Sequence, residues 1–271
     1  MSYDVIDGKY FTGCLVPEKK PNRVAAYEDS QPMLSKKEII ELVRNENRTP
    51  ARKRFPAEQW IRNQGGRGSC NGYAGAWALA RARVMAGLPF EALSGEYLYS
   101  MINGGRDSGS MLDDGMKAIQ ERGVARESLV KHQSYLWSQM SEEARRDAPR
   151  FMAVECYQPK TDLGLASATA LGWMGVVATH FSDAMMRLIN GVSAESLGPG
   201  NHAECCQDIV LLAGDEFGYD LPNSHGLRVM DLGHHIVTWR KHLSSTIKYH
   251  DFYVIRGVTD DPQNPAPEPK Q

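Results

Sequence analysis

Residues 63–86 read NQGGRGSCNGYAGAWALARARVMA, and this stretch decides the fold. A glycine-rich turn runs directly into a helix pattern, in which Ala74, Ala78 and Ala82 recur at every fourth position. So many small side chains predict a helix that packs closely on more than one side. Gly87 is expected to end this helix, because glycine readily takes the left-handed conformation found at helix C-termini.

Cys70 lies at the junction of this turn and helix. The N–H groups and dipole of a helix N-terminus favour a thiolate, and a thiol of low pKa is a nucleophile at neutral pH. Gln64 can place its amide N–H₂ near the backbone N–H of Cys70, where the two donors would stabilise an oxyanion. A lone cysteine is more often a small buried hydrophobe, but the glycine-rich turn favours a nucleophile here.

The composition is that of an ordinary globular protein. The 271 residues are 42% hydrophobic and 24% charged with a net charge of −2, which is enough chain for two small lobes with a core. The absence of a basic run disfavours nucleic acid as a partner. No secretory signal pattern or membrane-spanning stretch is present, so no membrane partner is expected. Five scattered cysteines make a poor disulfide framework and favour a reducing compartment.

Helix patterns dominate the first half of the chain and strand patterns the second, which predicts an α+β protein of two lobes. Residues 9–16 could form a short strand, and Ser35 begins a capping-box pattern ahead of a short helix. A further helix is predicted over 110–123, and another starts near Ser141. Short β-type runs occupy residues 174–181, 205–214 and 251–258.

These patterns divide the chain into three parts. Residues 1–50 form an N-terminal extension, which is expected to brace the structure rather than to cover a cleft. Residues 51–258 form the main domain, with a helical lobe over about 65–133 and a β-rich lobe over about 134–258. Residues 259–271 are a Pro-rich polar tail that is expected to be disordered.

The turn before the long helix resembles the active-site signature of the papain family of cysteine peptidases. In that signature a glutamine precedes the nucleophile by six positions and Gly-Ser-Cys ends the turn, as Gln64 and Cys70 do here. The family's histidine is matched by His202 in GNHA, and its Asn-Ser motif by Asn223 in LPNSHG. The motifs occur in the family's order.

Flanking segments extend this resemblance over about residues 53–258. Residues 108–124 resemble the family's substrate-binding stretch and the helix after it, and residues 252–257 resemble its closing strand. The resemblance implies a papain-like two-lobed fold, with a helical N-terminal lobe, an antiparallel β-rich C-terminal lobe and an active-site cleft between them.

The resemblance also implies a role for each matched residue. Cys70 would attack a scissile carbonyl as thiolate, His202 would share its proton and pass it to the leaving amine, and Asn223 would orient the imidazole. Gln64 would join the oxyanion site. The implied protein is a peptidase that cleaves peptide or isopeptide bonds through a thioester, acts on a peptide or protein, and needs no cofactor or metal. Its cleft would be lined by Ser108, Gly109 and Ala203, with Ala178 nearby.

Three positions depart from the family pattern. Asn71 and His225 stand where the family has tryptophan, and Arg67 stands where it has a disulfide cysteine. A histidine at position 225 would shield the His–Asn pair from water less well. These departures leave open a catalytically weak or inactive scaffold with a structural or binding role. Amide transfer or deamidation by the same nucleophile is a third reading.

Two other constellations offer alternatives. His180 lies in a strand pattern and is a rival for the general base. A zinc site could be sketched from a set of histidines and cysteines, although adjacent cysteines on a strand point to opposite faces. The absence of a signal and of a long helical prodomain suggests a cytoplasmic or virion-associated protein of prokaryotic or viral origin. The residues of the sketched zinc site are His202, Cys205, Cys206, His234 and His235.

Overall fold

The computed structural model describes residues 13–15, 24–45, 47–194, 199–239 and 252–259. Helices and mostly antiparallel strands give the α+β class that the sequence predicted. Within these ranges, no helix combines the length and the apolar character needed to cross a bilayer. The tail expected to be disordered lies, apart from its first residue, outside the described ranges.

Two of the helix ends predicted from the sequence have the expected capping residues. The Ser35 hydroxyl accepts from the Glu38 N–H, and the Glu38 carboxylate accepts from the Ser35 N–H, which completes the predicted capping box. Gly87, with φ +83°, follows the end of the long helix as predicted. The helices are α1 (Lys36–Arg44), α2 (Ala51–Arg54), α3 (Ala57–Trp60), α4 (Cys70–Met85), α5 (Gly95–Ile102), α6 (Leu112–Glu121), α7 (Glu142–Asp147) and α8 (Asp162–Ala170).

The described strands form two five-stranded sheets. The first has the order β1-β2-β10-β3-β6 and the second β4-β5-β9-β8-β7. The strands are β1 (Ala25–Ala26), β2 (Met152–Gln158), β3 (Met174–Thr179), β4 (Leu188–Ile189), β5 (Val192–Ser193), β6 (His202–Cys206), β7 (Asp208–Leu211), β8 (Phe217–Pro222), β9 (His234–Thr238) and β10 (Phe252–Thr259).

Strand β3 of the first sheet is buried on both faces, which explains its continuous apolar run. Val176 packs in a core with α4, α5 and α6, whereas the next residue, Val177, packs with α8 and the second sheet. Cys205 and Cys206 separate in the same way, as the alternation of side chains along a strand requires. The sequence had predicted opposite faces for these two cysteines.

Helix α8 was not predicted, because it lies in the half of the chain where strand patterns dominate. Its sequence, DLGLASATA, is almost wholly buried and therefore shows little amphipathic periodicity. Thr161 caps it by accepting from the Gly164 N–H at 3.0 Å. Of the strand suggested over residues 9–16, only 13–15 are described, and Cys14 there forms a single bridge to Ser110.

Strand β6 positions the site because it packs against both lobes. It pairs with β3, and its residues contact α4 on one side and β8 on the other. Asn223 directly follows β8, so it arrives beside the start of β6. The N-terminus of α4 and the start of β6 therefore meet where the sequence analysis expected a cleft.

Candidate active site

Cys70 is the first residue of α4, and its side chain is completely buried. Backbone N–H groups of Ala203 and Gly13 donate toward the sulfur. Burial raises the pKa of the Cys70 thiol to about 11, because desolvation outweighs these donors. The sequence predicted a low pKa from the helix N-terminus alone; in this arrangement the exclusion of water reverses that expectation.

His202 is the first residue of β6 and lies directly before Ala203, whose N–H faces the Cys70 sulfur. The ring is completely buried, and among the described residues neither ring nitrogen has a hydrogen-bond partner. Burial lowers the pKa of His202, while the Glu204 carboxylate and the nearby Asn223 side chain raise it. His202 is therefore the neighbour along β6 of the residue that faces the thiol, and no thiol–imidazole hydrogen bond is formed.

Asn223 lies beside His202 in a fixed orientation. Its Nδ2 donates to Glu204 Oε1 at 3.0 Å, and its Oδ1 accepts from the His225 N–H at 3.1 Å. Glu204 was not singled out from the sequence. A charged residue two positions after His202, inside an otherwise apolar strand pattern, is the signal that could have found it, because residues i and i+2 of a strand share a face.

His225 covers one face of the His202 ring. The two imidazoles stack at 4.9 Å between centroids with a 12° angle between planes, and Phe181 packs against both rings. Burial, reinforced by the nearby His202, lowers the pKa of His225 to about 3, so this ring is neutral near pH 7. The position thus supplies a neutral aromatic cover of the kind that the family's tryptophan would supply.

Gln64 is buried between the turn and the Asn-Ser segment. Its Nε2 donates to the Arg67 carbonyl at 2.7 Å, and its Oε1 accepts from the Ser224 hydroxyl. The Gln64 N–H donates to the Ser224 carbonyl at 2.8 Å, and Asn63 forms a bridge to His225. Two segments 160 residues apart are thereby held together beside Cys70.

The three residues expected to line the cleft occupy different positions. Ser108 is exposed, whereas Gly109 is buried with φ +87° and donates its N–H to the Tyr99 hydroxyl at 3.1 Å. Ala203 is buried and pairs with Ala178 across β3 and β6. The next residue after Gly109, Ser110, presents the backbone groups that bind a neighbouring chain segment, and sequence reasoning did not single it out.

That segment is Gly13–Leu15, which lies across the thiol. The Cys14 N–H donates to the Asn201 carbonyl at 3.0 Å on the β6 side. On the α6 side, the Leu15 N–H donates to the Ser110 carbonyl at 3.0 Å, and the Ser110 N–H donates to the Gly13 carbonyl at 2.8 Å. Three residues of the extension thus bridge both walls of the groove above Cys70.

The extension, which is expected to act as a brace, makes contacts of two kinds. Helix α1 packs against α8 and β7, as a brace would. Gly13–Leu15 instead occupy the groove, and the short apolar sequence around them carried no signal of this, because the contacts are made by backbone groups.

The two alternatives that the sequence offered, His180 as general base and a zinc site, have different surroundings in the structure. His180 is half-buried, and its Nδ1 lies 2.8 Å from the Pro199 carbonyl oxygen, to which it donates. The described residues contain no group of three side chains arranged to hold a metal ion. His234 Nδ1 lies 3.5 Å from Asp220 Oδ1, and the His235 ring lies between Glu204 and Ser193.

Solved structures share this fold. No protein-family model and no curated protein sequence matches the chain. Xylellain, a cysteine protease from Xylella fastidiosa, superposes with a TM-score of 0.66 at 20% identity, over 91% of this chain and 97% of its own. The proform of the ragweed pollen allergen Amb a 11, a cysteine protease, has a TM-score of 0.64 at 15% identity, over 82% and 70%.

A third similar structure is procathepsin B S9 from Trypanosoma congolense, with a TM-score of 0.63 at 11% identity over 93% of this chain and 87% of its own. These likenesses show that the chain has a papain-like cysteine protease fold, as the sequence motifs predicted.

Proposed function

We propose that this chain, which has a papain-like fold, is a cysteine peptidase whose nucleophile is Cys70 and whose general base is His202. One observation carries the proposal: the Cys70 sulfur, at the N-terminus of α4, receives the N–H of the residue that directly follows His202. Asn223 lies beside the imidazole and is held for the orienting role.

The chemistry follows from these placements. His202 takes the proton of the Cys70 thiol, and the resulting thiolate attacks the carbonyl carbon of a peptide or isopeptide bond. The carbonyl oxygen becomes an oxyanion facing the Cys70 N–H and Gln64. Collapse expels the amine, which takes a proton from His202, and leaves a thioester. His202 then accepts a proton from water as it attacks the thioester, releasing the carboxylic acid and regenerating the thiol. No metal or cofactor enters these steps.

The arrangement described is a closed form of this enzyme. Gly13–Leu15 occupy the groove that a substrate backbone would need, so a peptide gains access to Cys70 only when that segment leaves. In this proposal residues 51–258 form the peptidase domain, and residues 1–50 form an extension that includes the cover. Substrates are peptides or proteins that can replace the backbone hydrogen bonds made by Ser110 and Asn201.

The test uses a variant with an opened groove. A Cβ on residue 13 would lie 2.1 Å from the Gly68 carbonyl oxygen, so Gly13→Ala displaces the cover. We expect this chain to hydrolyse members of a broad peptide library, with Cys70→Ala abolishing hydrolysis and Cys156→Ala leaving it intact. Cys156 is the matched control because it is another buried thiol, on β2. Hydrolysis that survives Cys70→Ala contradicts the proposal.

A second candidate is an inactive papain-like scaffold, which is favoured by the buried thiol of raised pKa and the missing thiol–imidazole bond. It predicts that the Gly13→Ala chain cleaves nothing even though Cys70 becomes accessible. Amide transfer by the same nucleophile is the remaining alternative, and the mass of the products distinguishes it. Gain of one water indicates hydrolysis, whereas an amine adduct indicates amide transfer.

A further inference from the structure

A completely buried carboxylate lies beneath the proposed catalytic residues, and the mechanism above does not use it. Glu204 is two residues after His202 on β6, so both side chains point to the same face of the sheet, toward β8 and β9. Isolated buried carboxylates are costly, so they are normally paired and hydrogen-bonded. The hydrogen-bond partners of Glu204 therefore indicate its role.

Both oxygens of Glu204 are engaged. Oε1 accepts from Asn223 Nδ2 at 3.0 Å and from His235 Nε2 at 2.7 Å, and Oε2 accepts from the Thr179 hydroxyl at 2.6 Å. Burial raises the pKa of Glu204, but the His235 ring and these hydrogen bonds outweigh it and bring the pKa to about 2. The carboxylate is therefore ionised at every pH where the protein is expected to work, and it can only accept hydrogen bonds.

The His235 ring fixes this carboxylate from the second sheet. Its Nε2 donates to Glu204 Oε1 at 2.7 Å. Its Nδ1 lies 2.6 Å from the Ser193 hydroxyl oxygen, which in turn lies 2.9 Å from the Met185 carbonyl oxygen. The ring is therefore held at both nitrogens, and Glu204 is held by it.

An acceptor-only carboxylate decides which way the Asn223 amide faces. Because Glu204 Oε1 cannot donate, Asn223 must turn its N–H₂ toward it and its Oδ1 away, toward the His225 N–H and the His202 side. The reverse orientation would set two oxygens against each other and leave a buried N–H₂ facing a backbone donor. Only with Oδ1 on the His202 side can Asn223 accept a hydrogen bond from the imidazole.

We propose that Glu204, held by His235, is a positioning residue that fixes the Asn223 amide and through it the orientation and tautomer of His202. The inference rests on the proposed function. Glu204 on β6 and His235 on β9 thereby join the three residues that the papain resemblance implies. They lie beneath the stacked rings of His202 and His225. Position 225 is a tryptophan in the papain family.

Glu204→Gln tests this role, and Asp220→Asn is the matched control. Asp220 is an equally buried carboxylate that faces the neighbouring His234, but its hydrogen bonds go to Arg52 and Gln207 and not to Asn223. Both variants must first show cooperative thermal unfolding. Should Glu204→Gln not fold, Glu204→Asp, which keeps the charge but shortens the reach, takes its place in the same measurements.

The first measurement does not depend on activity. In the full-length chain with ¹⁵N-labelled histidine, we expect His202 to occupy one tautomer at pH 7. Glu204→Gln should give His202 a mixture of tautomers, whereas Asp220→Asn should leave the single tautomer unchanged. A His202 tautomer that is unaltered in the folded Glu204→Gln chain overturns the inference, whether or not the protein proves to be a peptidase.

The second measurement uses peptide hydrolysis in the Gly13→Ala background. Loss of a hydrogen-bond partner that orients a metal-ligating histidine typically costs about 10–100-fold in affinity or activity. By the same reasoning we expect Glu204→Gln to lower kcat by about that factor, with KM changed less than about two-fold. An unchanged kcat also overturns the inference. If the Gly13→Ala chain with Glu204 intact hydrolyses nothing, the proposed function fails, and the tautomer measurement alone decides the role of Glu204.

Discussion

Displacing Gly13–Leu15 should convert Cys70 from an inert thiol into a reactive one, and a single methyl group should be enough. A Cβ on residue 13 would lie within 2.6 Å of three backbone atoms of Gly68, and backbone atoms cannot move aside as a flexible side chain can. Gly109 faces the same contact from the other side, since a Cβ there would lie 2.2 Å from the Gly13 carbonyl oxygen. Gly13→Ala is therefore incompatible with the closed groove.

The size of the effect follows from the hydrogen bonds that break when the groove opens. The segment makes three backbone hydrogen bonds to Ser110 and Asn201, each worth about 0.5–1.5 kcal/mol net. Breaking all three costs the closed form about 1.5–4.5 kcal/mol, or about 10- to 2000-fold in its population. Opening also rehydrates Cys70. A return of its pKa from about 11 to the ordinary value of 9.0 raises the thiolate fraction at pH 7 by about 100-fold.

The assay is the rate of iodoacetamide alkylation at pH 7, with the modified residue identified by peptide mass. We expect Cys70 in Gly13→Ala to react about 100-fold faster than in the parent chain, in line with its larger thiolate fraction. Leu15→Ala is the control, because it truncates a side chain that is 45% exposed and leaves the backbone bonds in place. The reasoning is wrong if folded Gly13→Ala reacts as slowly as the parent chain, or if Leu15→Ala accelerates labelling as much.

Two further predictions concern the oxyanion site and a buried acid. In the Gly13→Ala chain, Gln64→Ala should lower kcat by about 10²–10³-fold with little change in KM, as loss of an oxyanion donor does. A rise in KM by the same factor would point to a binding role instead. Asp162 is a carboxyl group whose pKa burial raises to about 8, despite the donated hydrogen bond from the Tyr219 hydroxyl. The folded state therefore keeps a proton that the unfolded chain loses near pH 4, so stability should fall as pH rises from about 4 to about 8. Urea unfolding at pH 5 and pH 8 should show a smaller fall for Asp162→Asn, and an unchanged fall would refute the assignment.

Much of the fold could be read from the sequence because its signals are local. The capping box of α1, the turn before α4 and the glycine after it depend on residues within a few positions of one another. The spacing of Gln64 and Cys70, with two later motifs in order, carried the papain-like resemblance. Helix α8 was not predicted, because a helix buried on all sides loses the apolar periodicity by which helices are predicted.

The sequence by itself determined which residue types stand at the start of α4 and β6, and hence which chemistry the site can perform. Tertiary structure alone decided whether water reaches Cys70 and which groups hold Asn223. Gly13–Leu15 exclude water from Cys70, and Glu204 meets Asn223 and His235 across three segments of the chain. Desolvation and hydrogen bonding depend on distances between groups far apart in sequence, and no local pattern of residue types encodes those distances.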